Sequence, residues 1–437
     1  MRKKWAYRKI GDVLEVARGG SPRPIQKYLT EEDDGINWIK ISDATASGKF
    51  IYSTEQKITK EGLKKTRIVE EGDFILSNSM SFGRPYIMKT RGCVHDGWLI
   101  LKNKESVELS QDYLYYLLGS PLIFEQFDSL AAGSTVRNLN IKLVSSVTIP
   151  IPPLPEQKQI VAILDKAFAA IDQAKANIER NIKNAQELFQ SKLNEIFSHP
   201  TSGSGGDGWE EKKFKDLVEL KSGTTFAKDI ERPEGEVPYL KIADMNIEGN
   251  EELIITSSRF VNHKDIKQIN IIPPGAIIFP KRGGAIATNK KRLTVIPICI
   301  DLNTMSAIPK DGIRSKYLYF FFLSFDLSEI SNGTTIQQIN NYSFDELSLT
   351  IPSIEKQDIL IHTLGKYRND INLLSEVYKK KLNYLEELKK SILQKAFAGE
   401  LTNLSASGFS GLADDQDLSI AAEEAGEYGR NPWFFYD

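Results

Sequence analysis

Cysteine, histidine and long apolar runs are all scarce in this chain. Its two cysteines, Cys93 and Cys299, lie far apart, which excludes a disulfide framework and a cysteine metal cluster. The four histidines, His95, His199, His263 and His362, show no ligand spacing and read as surface or structural groups. No stretch approaches the ~20 consecutive apolar residues of a membrane span. The opening MRKKWAYRKIGD is basic but has no apolar segment behind it, so no signal peptide is expected. A soluble cytoplasmic protein with no membrane contact is the expectation.

An excess of one charge is missing as well. Lys and Arg number 56 against 58 Asp and Glu, a net −2. The segment from Leu401 onward distorts that figure. It holds Asp414, Asp415, Asp417, Glu423, Glu424, Glu427 and Asp437 against Arg430 alone, a local −6, so the remainder carries about +4. Binding to an acidic polymer must therefore come from local patches or be shared with a partner. Catalytic motifs are absent too. There is no FxGxG-like methyl-donor loop. Ser47-Gly48-Lys49-Phe50 lacks both the upstream glycine and the following Ser/Thr of a phosphate loop. Asn431-Pro432-Trp433-Phe434 looks like the Asn-Pro-Pro-Phe motif of amino-methyltransferases, but no methyl-donor fold precedes it and it is taken as a chance match.

What the chain does have is helical periodicity. Between Glu156 and Ser198 apolar residues fall at Ile160, Leu164, Ala167, Ile171, Ala174, Ile178, Ile182, Ala185, Phe189, Leu193 and Ile196. The steps alternate between 4 and 3, with an extra 4 after Ile178 and after Phe189. That narrow stripe is a coiled-coil seam with two stutters. Pro155 sits where a helix start tolerates it, and neither Pro nor Gly follows. Such a helix is roughly 60 Å long and needs a partner to cover its stripe. Glu355 to Phe397 supplies one, with Leu364, Tyr367, Ile371, Leu374, Tyr378, Leu382, Leu385, Leu393 and Ala396, each 200 residues after a first-seam position. Gly365 and Lys389 make the second copy less clean.

The echo extends outside the helices. IGDVLEVARGGSPRP (10–24) parallels FKDLVELKSGTTFAK (214–228), and INWIKISDATASGKF (36–50) parallels VPYLKIADMNIEGNE (237–251). SQDYLYYLL (110–118) parallels RSKYLYFFF (314–322), and GSTVRNLN (133–140) parallels GTTIQQIN (333–340). The globular parts mix short alternating strands with short helices, hence α+β. The expected division is a first globular domain at 1–153, a long helix at 154–199, a Gly/Ser linker at 200–208, a second globular domain at 209–352, a second long helix at 353–399 and an acidic tail at 400–437. The simplest arrangement is an antiparallel intramolecular coiled coil with the two similar domains at its ends, related by a pseudo-twofold axis. The tail is expected to be disordered.

This order of parts resembles the specificity (S) subunits of Type I restriction–modification enzymes. The likeness rests on IPIPPLPEQKQIVAIL at 149–164, GSTVRNLN at 133–140 and LKKSILQKAFAGEL at 388–401, and it covers about residues 1 to 401. The second copy departs from the signature, with Ser353 in place of Pro153 and Glu355 in place of Pro155. The resemblance implies that each globular part is a target recognition domain reading one half of a bipartite site in double-stranded DNA. It implies that the helices set the distance between the halves and dock two methyltransferase subunits, which restriction/translocase subunits then join. It implies no catalysis by this chain. S-adenosylmethionine, ATP and Mg would be used by the partner subunits, and no cofactor or metal would be bound here. Two other readings stay open: the specificity chain of a related two-sided cutter (Type IIB-like), and a coiled-coil scaffold joining two protein-binding domains.

Sequence readout needs donors and acceptors on loops, and phosphate contacts need Lys and Arg. In the first domain the candidates are Arg18, Gly20, Ser21, Arg23, Lys40, Asn78, Ser81, Arg84, Arg137 and Asn138. In the second they are Lys221, Thr224, Lys241, Lys281, Arg282, Asn289, Lys290, Lys291, Arg292, Gln337 and Gln338. Taken singly, each also reads as a solvated turn residue. The stretch from Lys281 to Arg292, the densest in basic residues, is the one favoured as a unit for DNA contact. Asp43 and Asp244 are expected to cap turns, and Trp38 and Tyr239 to lie in cores.

Overall fold

Two helices of 45 and 44 residues, Leu154–Ser198 and Ile354–Phe397, dominate the chain. The structure, a computed structural model, describes residues 5–78, 83–104, 107–131, 138–198, 209–333 and 336–401. Ser81, Arg137, the 200–208 linker and Asn431 to Phe434 lie outside the described residues, as does the acidic tail after Leu401. The chain divides into two units, and each takes part of both helices. Unit 1 comprises residues 1–176 and 381–437, and unit 2 comprises 177–380.

In unit 1 a two-stranded ribbon pairs Ala6–Lys9 with Thr148–Ile151. A five-stranded sheet runs in the order Leu14–Arg18, Trp98–Asn103, Phe74–Ser77, Pro85–Met88, Phe50–Ile51, with only the last pair parallel. A second sheet places Ile36–Ile39 parallel to Gly92–Val94. Helices Gln111–Leu118 and Pro121–Ala131 cover the first sheet, burying Tyr113, Leu117 and Phe127. The same core takes in Ile160, Leu164, Phe168 and Ile171 from the first long helix and Leu393, Ala396 and Phe397 from the second. Lys389 meets Asp172 at 3.7 Å while Glu386 pairs with Lys175, so advancing along one helix means retreating along the other. The helices are antiparallel here.

Unit 2 repeats the plan. Trp209–Lys213 pairs with Ser348–Pro352. The five-stranded sheet has the order Val218–Ser222, Thr304–Pro309, Ile277–Pro280, Arg292–Thr294, Leu253–Ile254, again with only the last pair parallel. Val237–Leu240 runs parallel to Cys299–Ile300. Helix Ser315–Ser324 buries Tyr317, Leu318 and Phe322. Leu193 and Leu364 share a cluster with Phe320, and Asn181 donates to the Tyr378 hydroxyl at 3.3 Å, so the helices are antiparallel in this unit as well. The duplication reaches single ring contacts. Tyr113 meets Phe397 edge-on at 5.5 Å in unit 1, and Tyr317 meets Phe197 at 5.2 Å in unit 2.

One seam position needs correction. Tyr367 is 46% exposed. Arg368 turns inward instead, over the Tyr319 ring and onto Glu252 at 2.5 Å, as Phe168 does in the first helix. Trp38 and Tyr239 are buried. Asp43 and Asp244 cap turns, accepting from the Lys40 and Lys241 backbone N–H groups at 2.8 and 2.7 Å.

Candidate nucleic-acid interface

In each unit several of the candidate residues gather at one end of the five-stranded sheet. In unit 1 that end is built by the end of Leu14–Arg18, the end of Phe74–Ser77, the turn from Val94 to Trp98, and Leu139. The Gly19 N–H donates to the Trp98 carbonyl and the Gly20 N–H to the Val94 carbonyl. A Cβ on Gly19 would lie 2.1 Å from the His95 carbonyl oxygen, so only glycine permits this approach. The turn places Asp96 at the centre of four of the candidates. Ser21 Oγ donates to its carboxylate at 2.6 Å, and the Arg23 guanidinium lies 3.3 Å from it. Arg18 and Asn78 donate to its backbone carbonyl at 3.0 and 2.9 Å. The hydrogen bond from Ser21, aided by Arg23, holds the Asp96 carboxyl below the usual carboxylate range. Arg18 and Arg23 stay exposed, whereas Asn78 is 1% exposed and serves the fold. The exposed Arg84 lies over the Tyr86 ring. The Asn138 amide oxygen is buried with no hydrogen-bond partner among the described residues.

Unit 2 builds the same sheet end with different side chains. The Gly223 N–H donates to the Thr304 carbonyl and the Thr224 N–H to the Ile300 carbonyl. A Cβ on Gly223 would lie 2.0 Å from the Asp301 oxygen. Lys281 stands where unit 1 has Asn78, and its Nζ donates to Ser222 Oγ at 2.9 Å. Burial, with Arg282 nearby, lowers the Lys281 ammonium below the usual lysine range. The Gly283 N–H donates to the Gln337 carbonyl and the Ile339 N–H to the Lys281 carbonyl, which brings Gln337 and Gln338 beside Arg282. Arg282 and Gln337 are exposed, and Lys221 and Gln338 are half-buried.

The last two basic residues of the stretch turn inward. Lys291 is 2% exposed and donates to the Phe325 carbonyl at 2.6 Å, and burial pushes its ammonium down to about 8. Arg292 donates to the carbonyls of Asn250 and Met245 at 2.6 and 3.2 Å. Asn289, at φ 50°, closes a helical turn and accepts from the Leu327 N–H. Lys290 bonds Asn246. The stretch from Lys281 to Arg292, favoured as a unit for DNA contact, is thus divided: half-buried Lys281 and exposed Arg282 stand at the sheet end, while Lys291 and Arg292 lie against the core. Strand Arg292–Thr294 begins within the stretch and draws Lys291 and Arg292 against the core. Elsewhere, Lys40 pairs with Glu55 at 2.7 Å and Lys241 with Glu231 at 2.8 Å. Thr224 accepts from Asn270 at 3.2 Å.

Sequence reasoning missed three residues. Asp96 was invisible because the partners that gather round it are distant in the chain. Gln157 and Gln357 are each fully buried at a long-helix start. Gln157 accepts from the Ser110 N–H and donates to the Glu108 and Pro152 carbonyls. Gln357 does the same with Arg314, Gly312 and Pro352. Their 200-residue spacing was the available signal. Among the described residues no group of His, Cys, Asp and Glu is placed to hold a metal ion, and no helix is long and apolar enough to cross a membrane.

Residues 2–184 and 206–407 each match the model of the Type I restriction modification DNA specificity domain. The chain is 26% identical over 423 residues to the Type I restriction enzyme MjaIX specificity subunit of Methanocaldococcus jannaschii, covering 91% of this chain and 94% of that one. It is 23% identical over 422 residues to the Type I restriction enzyme StySPI specificity subunit of Salmonella potsdam, covering 91% and 89%. Among solved structures, one described as the basis of complex assembly and conformational transition of the type I R-M system matches with a TM-score of 0.72 at 18% identity, over 91% of this chain and 99% of that one. The HsdS subunit from Thermoanaerobacter tengcongensis matches at 0.55 and 18%, over 92% and 98%.

Proposed function

Because this chain belongs to the Type I restriction modification DNA specificity family, we propose that it is the non-catalytic DNA sequence-recognition subunit of a Type I restriction–modification complex. The observation that carries the reading is the duplicated sheet end. Arg18, Ser21 and Arg23 in unit 1, and Lys221, Lys281, Arg282, Gln337 and Gln338 in unit 2, stand at equivalent sheet ends, assembled by three shared backbone bonds: Gly19 to Trp98, Gly20 to Val94 and Leu139 to Asn78 in unit 1, and Gly223 to Thr304, Thr224 to Ile300 and Ile339 to Lys281 in unit 2. Arginine and lysine position a protein on phosphates, and Ser, Asn and Gln read base edges. Two such ends favour a bipartite, asymmetric site with one half read by each unit.

The long helices would set the number of unread base pairs between the halves and dock two methyltransferase subunits, with restriction/translocase subunits joining them. On this reading S-adenosylmethionine, ATP and Mg act on the partner subunits, and the complex works in the cytoplasm, where the DNA is. Methylome sequencing of cells carrying the chain with its partners tests the proposal. A two-part methylated motif is expected, and exchanging residues 209–352 for another such domain should alter one half only. A binding assay across salt concentrations adds a second test. Absence of both sequence preference and salt slope would favour a protein scaffold instead.

A further inference from the structure

The turn from Val94 to Trp98 and the turn from Ile300 to Thr304 share one backbone design. The Trp98 N–H bonds the His95 carbonyl at 3.1 Å, and the Thr304 N–H bonds the Asp301 carbonyl at 3.0 Å. Gly19 and Gly223 lie against the same two carbonyls. Asp96 and Leu302 therefore occupy equivalent tips. The tips differ in chemistry. Asp96 presents a carboxylate to Ser21 and Arg23, with Arg18 on its backbone carbonyl, whereas Leu302 is apolar and 38% exposed.

We propose that Asp96 is a specificity-determining residue: its carboxylate occupies Arg23 and Ser21 in the free chain and surrenders them only to a DNA site that supplies donors in return. This rests on the proposed DNA-reading function. Non-specific binding comes from neutralising phosphates and is sequence-blind. A phosphate that recruits Arg23 competes with the Asp96 carboxylate for the guanidinium and is repelled by it. The displaced carboxylate then needs new hydrogen-bond donors. In the major groove those are the amino groups of cytosine or adenine, which only some sequences place correctly. Asp96 thereby couples a sequence-blind contact to base identity. Leu302 has no charge to release, so unit 2 lacks this coupling at the equivalent position.

The test uses D96N in the chain assembled with its methyltransferase subunits. Asparagine keeps an acceptor for Ser21 and leaves the backbone carbonyl in place. Binding is measured from about 50 to 200 mM salt on a duplex carrying the motif found by methylome sequencing and on a scrambled duplex of equal length. The scrambled duplex should bind about 3- to 10-fold tighter at the lowest salt, with a slope steeper by about one. The motif duplex should gain less, so the selectivity ratio falls. D34N removes another exposed acid, the partner of Lys60, and controls for net charge. An equal gain from D34N would overturn the proposal, as would D96N weakening both duplexes with an unchanged slope, the signature of a structural role. If the unmodified complex failed to distinguish the two duplexes, the underlying function would fall, an outcome separate from these.

Discussion

Lys389 lies over the face of Phe168, its Nζ 4.6 Å from the ring centroid. Unit 2 contains the same pair with the roles exchanged. Arg368, 200 residues after Phe168, stands 5.7 Å from the ring of Phe189, which is 200 residues before Lys389. Each unit thus joins its two helix segments with a cation over an aromatic ring, and the helix that supplies the ring in one unit supplies it again in the other. The lysine that broke the apolar stripe in the sequence is a packing partner.

The two sides of this pair should differ in weight. Phe168 is buried, so Phe168→Ala should destabilise unit 1 by about 3–5 kcal/mol. Lys389 is partly exposed, and Lys389→Ala should lose only about 0.5–1 kcal/mol. The double exchange F168R/K389F adopts the arrangement of unit 2 and should recover part of the loss from F168R alone. Denaturant unfolding of the four variants reads this out. No recovery in the exchange would show that the pair is incidental to shape packing.

The buried glutamines fasten each long helix to the short helix beside it. Gln157→Leu keeps the volume but strands the Ser110 N–H and the carbonyls of Glu108 and Pro152. A loss of about 2–4 kcal/mol is expected from those orphaned groups. Hydrogen exchange should quicken first across Gln111–Leu118 and the first turns of Leu154–Ser198. Gln357→Leu should do the same to Ser315–Ser324 and leave the exchange of unit 1 unchanged.

Lys291 gives a pH signature. Its ammonium falls to about 8 in the folded chain because of burial, against an ordinary value of ~10.4. Between those values the unfolded chain binds more protons, so folding stability contributed by this group rises with pH. Relative to Lys291→Met, the unmodified protein should gain stability from pH about 8 to about 10.4, by up to about 1.4 kcal/mol per pH unit, and show no relative slope below 8. Denaturation of both proteins at neutral and alkaline pH checks it. Neither protein should differ in the salt slope of DNA binding, whereas Arg282→Ala should lower that slope by about one.

The contrast between Lys291 and Arg282 shows what the sequence made legible. Period and duplication were visible because they are properties of spacing, so the seam and the repeated α+β plan could be read from residue patterns alone, whereas the antiparallel direction was the simplest arrangement and not a property of the spacing. Which of several adjacent basic residues faces water could not be. That depends on where strand Arg292–Thr294 begins, and on Phe325 arriving from a distant loop to accept from Lys291. Asp96 was hidden for the same reason. Its partners Ser21 and Asn78 are 75 and 18 residues away in the chain, and only the sheet brings them together. Asp43 and Asp244 were legible as caps because a cap is local.

The long helices carry the prediction that most directly links sequence period to DNA. Four residues inserted in a helix add about one turn, roughly 6 Å. Lys175 pairs with Glu386, and Asn181 with Tyr378, so insertion into one helix alone would slip its seam past the other. Adding four residues after Ile178 together with four after Lys380 keeps both seams in register. If the helices set the spacing of the half-sites, methylome sequencing of this variant should find both half-sites unchanged and the unread spacer longer by one or two base pairs, since a base pair rises ~3.4 Å. An unchanged spacer with intact half-sites would mean that something other than helix length sets the spacing.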